Sequence, residues 1–110
     1  MITNPPLTMT PEQKAILAST PGRILEGEFL KGFGVSQAEL SRRTGIPRST
    51  INEIINGKRA IQAEVAYALG LFFRMDPQFW INLQSRYDMR RVEFGKARDI
   101  RARVQPLAAS

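Results

Sequence analysis

The sequence contains no cysteine and no histidine among its 110 residues. Without cysteine there are no disulfides and no thiolate chemistry, which fits a reducing cytosol. Without histidine there are no imidazole metal sites and no nucleophile that relies on a histidine base. Carboxylates are not clustered either, and no glycine-rich phosphate loop is present. We therefore expect no enzyme, no metal, no cofactor and no small-molecule substrate.

Long apolar runs are also absent. The N-terminus, MITNPPLTMTPEQ, has prolines where a signal peptide needs an apolar stretch, and no segment approaches the length of a membrane span. We therefore expect a cytoplasmic protein with no membrane partner.

Positive charge is in excess, and it lies in two blocks. The formal net charge is +6 and the sequence pI is about 10.5. Residues 36–59 carry a net charge of +3 and residues 86–110 a net charge of +4. This balance suits a polyanionic partner such as nucleic acid, although a basic pI can also serve solubility alone.

Capping residues and apolar spacing predict five helices. The second helix begins at a capping box formed by Ser36 and Glu39, and the third opens at Pro47, whose fixed backbone angle suits a first helical turn. Gly45 and Gly57 are placed to end these two helices. The five predicted helices cover residues 21–31, 36–44, 47–55, 62–73 and 76–94.

A short turn containing a glycine joins the second and third helices, which is the layout of a helix-turn-helix. The small residue Ser41 suits a close crossing of the two helices, and Leu40, Ile51 and Ile54 are spaced to face inward. In this motif the second helix of the pair enters the major groove of DNA with its N-terminal residues at the base edges. The sequence therefore predicts an all-α DNA-binding domain.

The polar side of the third helix carries residue types that read base edges. Arg48 can donate two hydrogen bonds to guanine, Asn52 can pair in the same way with adenine, and Ser49 fits either base. Glu53 could accept from cytosine, repel phosphate or only be solvated. The sequence therefore predicts that Arg48, Ser49, Asn52 and Glu53 form the base-reading set.

Four other residues are predicted to contact phosphates. Gln37 starts the second helix, where its side chain and the helix N–H groups can bind a phosphate. Thr50, Lys58 and Arg59 flank the third helix. Two basic residues near the end of the second helix could contact phosphate or stabilise the helix dipole instead: Arg42 and Arg43.

The predicted fifth helix carries an apolar stripe of Phe79, Trp80, Leu83 and Tyr87. Helix-turn-helix proteins usually dimerise and bind paired half-sites about 34 Å apart. We expect the stripe to serve both contact between protomers and the intramolecular core.

From residue 21 to about residue 91 the chain resembles the HigA family of antitoxins, within the phage-repressor-like (XRE-type) helix-turn-helix regulators. The resemblance lies in PGRILEGEFL, in SQAELSRRTGIPRSTINEIINGKRAI, in LFFRMDPQFWINLQSRYD and in the basic stretch that follows. It implies a five-helix lambda-repressor-like domain with the helix-turn-helix in helices 2 and 3. It also implies a homodimeric antitoxin that neutralises a HigB-like mRNA-cleaving toxin and represses its own operon.

The expected domain organisation has three parts. Residues 1–20 form a tail that could hold a short helix after Thr10 and Pro11, residues 21–94 form the helix-turn-helix domain, and residues 95–110 form a basic C-terminal tail. Binding to operator DNA would make the protein nucleoid-associated. Two other hypotheses stay open, namely a stand-alone phage-type repressor without a toxin and an interaction module whose helix-turn-helix serves protein contact or RNA binding rather than operator DNA.

Overall fold

A computed structural model describes residue 11 and residues 19–108. Within residues 19–108 the chain forms helices and no strand, which confirms the all-α prediction for this part. The first helix, α1, starts with an α-helical turn, continues as a π-helix and ends in a last α-helical turn, over Pro21–Ile24, Leu25–Leu30 and Lys31–Phe33. The others are α2 (Gln37–Thr44), α3 (Arg48–Ile55), α4 (Ala63–Phe73), α5 (Gln78–Gly95) and α6 (Ala97–Arg103).

Because of α6, residues 19–108 contain six helices where five were predicted. α5 ends at Gly95, but Lys96 keeps right-handed helical angles (φ −106°, ψ −2°), so the chain passes directly into α6. Asp99 in the first turn of α6 and the arginines in its last turn complement the helix dipole. The short helix predicted after Thr10 lies outside the described residues except for Pro11. None of the described helices is long and apolar enough to cross a membrane.

One hydrophobic core joins the first five helices. Burying an aliphatic side chain of leucine size contributes about 1.5–3 kcal/mol relative to leaving it exposed. Trp80 belongs to an aromatic cluster, with its ring centroid 4.7 Å from that of Phe29 and 5.1 Å from that of Phe79. Six large side chains of α1 to α5 are each at most 1% exposed: Leu25, Leu40, Ile51, Ile54, Leu69 and Trp80.

The start of α1 lies against the end of α3 with no room for a side chain. A Cβ on Gly22 would overlap the carbonyl oxygen of Ile54 and lie 2.7 Å from the Cα of Ile55. Because these are backbone atoms of a buried helix, they cannot move aside as a flexible side chain would. Thr20 fixes the start of α1 by accepting a hydrogen bond from the Arg23 N–H at 3.1 Å. The contact between α1 and α3 therefore requires glycine.

We expect Gly22→Ala to lower the free energy of unfolding by about 3 kcal/mol, because the added methyl group must push α1 away from α3. Urea unfolding followed by circular dichroism measures the change. Gly27→Ala is the matched control, since a Cβ there meets nothing within 4 Å. The control should keep the stability or raise it by up to about 1 kcal/mol. Equal stability of the two variants would contradict the proposed contact.

Candidate nucleic-acid interface

The turn between α2 and α3 is closed by hydrogen bonds from two side chains of α2. The Ser41 hydroxyl donates to the Ile46 carbonyl at 2.6 Å. The Thr44 hydroxyl donates to the Leu40 carbonyl at 2.6 Å and accepts from the Ile46 N–H at 3.2 Å. Gly45, between Thr44 and Ile46, has a positive φ of 79°, the left-handed conformation in which α2 ends. The turn thus pairs backbone groups that would otherwise be left unsatisfied between the two helices.

Local sequence also sets where the two helices begin. Ser36 caps α2 by accepting a hydrogen bond from the Glu39 N–H at 3.0 Å, as the capping box predicts. Pro47 has extended angles (φ −57°, ψ 141°) and is the capping residue of α3, so Arg48 is the first helical residue. The helix therefore starts one residue later than predicted. The first turn of α3 presents Arg48 and Ser49, both of them exposed.

α3 has one buried side and one polar side. Ile51, Ile54 and Ile55 are at most 8% exposed, whereas Asn52 is exposed and Glu53 is half-buried. The polar residues at the start of the helix are left facing solvent because the isoleucines occupy the side that packs on the core. This arrangement agrees with the position that a groove-entering helix must have.

Two of the four predicted base-reading residues have partners within the described part of the chain. The Glu53 carboxylate oxygen Oε1 accepts a hydrogen bond from Arg59 Nε at 2.7 Å. The Asn52 Oδ1 accepts one from Asn56 Nδ2 at 3.1 Å. A predicted base reader, Glu53, is therefore paired with a predicted phosphate contact, Arg59, which sequence reasoning did not anticipate.

The predicted phosphate contacts surround α3. Gln37 begins α2, while Lys58 and Arg59 are exposed and follow the turn at Asn56 and Gly57 that ends α3. The end of α3 is a Schellman motif, in which the Lys58 N–H donates to the Glu53 carbonyl at 2.8 Å and the Gly57 N–H to the Ile54 carbonyl at 3.0 Å. Thr50 and Arg59 line the same groove, of about 630 Å³, between the turn and the start of α4.

Arg43 connects α2 with α4. Its guanidinium nitrogen Nη1 lies 3.1 Å from Glu39 Oε2, and the guanidinium carbon lies 5.0 Å from the centre of the Phe72 ring. These contacts hold Arg43 on the outside of the α2–α4 packing. Arg42 is exposed.

The stripe of α5 is divided between core and surface. Trp80 is fully buried, Phe79 is 40% exposed, and Leu83 and Tyr87 are half-buried. The part of the stripe outside the core therefore faces the surface along one side of α5.

Gln84 of α5 fixes the segment that follows α3, and sequence reasoning missed it. Its Oε1 accepts a hydrogen bond from the Ile61 N–H at 2.8 Å, and its Nε2 donates to Asp88 Oδ1 at 3.0 Å. Ile61 is buried, so its N–H needs an acceptor within the protein. The sequence held one indication of this role, since Gln84 is a polar residue one turn after Trp80 and therefore lies on the side of α5 that faces inward.

Comparisons with known proteins agree with this geometry. A helix-turn-helix family model (HTH_3) matches residues 28–80, which include α2, α3 and α4. The chain is 37% identical over 87 residues to virulence-associated protein A' of Dichelobacter nodosus, a match that covers 78% of this chain and 75% of that protein.

Two solved structures are similar over most of their length. One is the Pseudomonas aeruginosa antitoxin HigA with the higBA promoter, at 37% identity and a TM-score of 0.75, covering 81% of this chain and 97% of that chain. The other is the antitoxin GraA in complex with its operator, at 37% identity and a TM-score of 0.76, covering 82% of this chain and 91% of that chain.

We expect Gln84→Ala to lower the free energy of unfolding by about 1–3 kcal/mol, because the Ile61 N–H loses its acceptor in a buried place. Hydrogen exchange should also be faster at the Ile61 amide. Gln78→Ala is the control on the same helix, since the Gln78 side chain donates to Asn82 at 3.0 Å on the exposed side and has no other hydrogen bond within the described part of the chain. Unchanged exchange at Ile61 in Gln84→Ala would show that the segment is held in another way.

Proposed function

The chain belongs to the family of helix-turn-helix proteins that includes the HigA antitoxins, and we propose that it neutralises a HigB-like mRNA-cleaving toxin and represses its own operon. The observation that carries the DNA-binding part of the proposal is the division of α3 into a buried isoleucine side and an exposed polar N-terminal half, with two basic residues just beyond the turn that ends the helix. This is the arrangement that a groove-reading helix needs. The toxin-neutralising part is supported by the similarity to the antitoxin HigA.

Arg48 is the leading base reader in this proposal. It lies in the first turn of α3, it is exposed, and a guanidinium can donate two hydrogen bonds to guanine. Ser49 lies beside it, and Asn52 reads a base after exchanging its bond with Asn56. Glu53 holds Arg59 in the free protein and can accept from cytosine only if that pair opens.

Gln37, Thr50, Lys58 and Arg59 position the protein on the DNA backbone. They lie at the start of α2, on α3 and just beyond the turn that ends α3, so they flank the residues that read bases. Contacts of this kind fix register and orientation, and they add affinity that does not depend on sequence.

In this proposal the protein acts as a homodimer, with α5 at the contact between protomers. Phe79 and Leu83 give this helix a partly exposed apolar surface, whereas Trp80 belongs to the core and Tyr87, at the far end of the stripe, lines the cleft beside the end of α3. A two-fold dimer presents two copies of α3 to half-sites about 34 Å apart. The affinity of one small module is thereby combined with that of a second.

A stand-alone repressor is the second candidate, because the exposed face of α3 serves operator binding whether or not a toxin is present. The two candidates share the DNA-binding surface and differ only in the protein partner. They are therefore separated by a test of toxin neutralisation and not by a test of DNA binding.

We expect Arg48→Ala to weaken binding to the preferred duplex by about 1–3 kcal/mol and to relax base preference at one position. Lys58→Ala is the comparison, and it should weaken binding to the preferred duplex and to a scrambled duplex alike. It should also lower the salt slope, which is the steepness with which the logarithm of the binding constant falls with the logarithm of salt concentration, by about 0.9. Fluorescence anisotropy on a duplex selected by the wild-type protein from random sequence, over a range of salt, measures both. An unchanged base preference in Arg48→Ala would refute its assigned role.

We expect a neighbouring open reading frame for a small basic protein that stops growth when expressed alone. Co-expression of the full chain should restore growth, because a bound toxin cannot reach its substrate. Arg48→Ala should restore growth equally well, since Arg48 is assigned to DNA and not to the toxin. A toxic neighbour that the chain fails to neutralise would favour the stand-alone repressor.

A further inference from the structure

A basic surface extends from the segment that follows α3 onto α5, and none of the contacts assigned above uses its α5 part. Lys58 and Arg59 line a cleft of about 130 Å³ together with Arg91 of α5. Residues 58 and 91 are far apart in the sequence and belong to its two separate positive blocks. The fold therefore joins the two blocks at this cleft.

Arg91 is held in position by the ring of Tyr87, one turn earlier on α5. The guanidinium carbon lies 5.6 Å from the centre of that ring, and Tyr87 lines the same cleft. A cation over an aromatic face at an exposed site gains about 0.5–1 kcal/mol. This contact orders the charged group while leaving its N–H donors available, since no hydrogen bond or ion pair of Arg91 occurs among the described residues.

The basic surface continues along α5 to its end. Arg91 also lines a wider groove of about 490 Å³ with Lys96, the residue that follows α5. Both residues are exposed. A line of positive charge thus runs from Lys58 through Arg91 to Lys96.

Asp88 is the acidic residue that lines both the cleft and the groove. Its Oδ1 accepts the hydrogen bond from Gln84 Nε2 at 3.0 Å, and Gln84 in turn accepts from the Ile61 N–H. Asp88 therefore helps to tie α5 to the segment after α3, and three cations outnumber it along the line. The Gln84–Ile61 hydrogen bond thus joins α5, which carries Arg91, to the segment that carries Lys58.

We propose that the backbone of the bound DNA continues from Lys58 onto α5, where Arg91 and Lys96 bind phosphates. The proposal rests on the proposed DNA-binding function and extends its contact surface to a helix outside the helix-turn-helix. Because both contacts are to phosphate, they add affinity without sequence preference. They also give the second positive block of the sequence a role in binding the same duplex.

The test compares Arg91→Gln and Lys96→Gln with Arg90→Gln, which removes the same charge from an exposed residue of α5 that lines neither the cleft nor the groove. The probes are the duplex selected by the wild-type protein and a scrambled duplex of equal length. Loss of one phosphate contact should lower the salt slope by about 0.9 and weaken binding to both duplexes roughly fivefold at 0.15 M salt. Arg90→Gln should change the slope much less.

Equal effects of Arg91→Gln and Arg90→Gln on binding would overturn the inference. The lost affinity would then come from the lower net charge of the protein and not from a phosphate contact of Arg91. Unchanged binding in both Arg91→Gln and Lys96→Gln would overturn the inference as well. Arg48→Ala in the same assay keeps the two proposals apart. If Arg48→Ala relaxes base preference while Arg91→Gln behaves as Arg90→Gln, the inference about α5 fails and the DNA-reading function stands.

Discussion

The position of α3 depends on a contact between two backbones that only glycine permits. Gly22 brings α1 against the carbonyl end of α3, where a Cβ would overlap the Ile54 oxygen. The buried isoleucines of α3 also hold the helix in place, because they pack in the same core as Leu40 of α2. A helix fixed by its neighbours in this way loses little further freedom when it binds, so less free energy is spent on ordering it.

The same packing explains which residues of α3 are available to a ligand. The apolar side of α3 is buried in the core, and the Schellman motif at the C-terminus of α3 turns the chain away from the helix axis. The polar N-terminal half is what remains for another molecule. Fold stability and candidate function thus use opposite sides of one eight-residue helix.

The polar residues of α3 differ in whether they already have a charged partner within the described residues. The side chains of Glu53 and Arg59 are 43% and 50% exposed, so their ion pair contributes at most about 1 kcal/mol and can open on binding. Its main effect is to hold the Arg59 guanidinium beside α3 before a ligand arrives. Arg48 has no such partner within the described residues, which makes it the better candidate for direct contact with bases.

Prediction from the sequence succeeded where short-range chemistry decides the outcome. Ser36 and Glu39 define the start of α2 because a cap needs only residues three apart, and Gly45 ends α2 because the chain there needs a positive φ. The number of helices was wrong, since Gly95 weakens a helix but does not by itself say whether the chain resumes one. Lys96 stays in a helical conformation, and α6 follows.

The sequence by itself determined the all-α class, the helix-turn-helix and the polar face of α3, because caps, glycines and a 3.6-residue period act over a few neighbouring residues. Only the tertiary structure decided which distant residues support that face. Three features join parts of the chain 23 or more residues apart: the contact of Gly22 with Ile54, the hydrogen bond of Gln84 with Ile61, and the cleft that Arg91 and Lys58 both line. No local spacing encodes such pairs, because they arise only when the helices pack on a shared core.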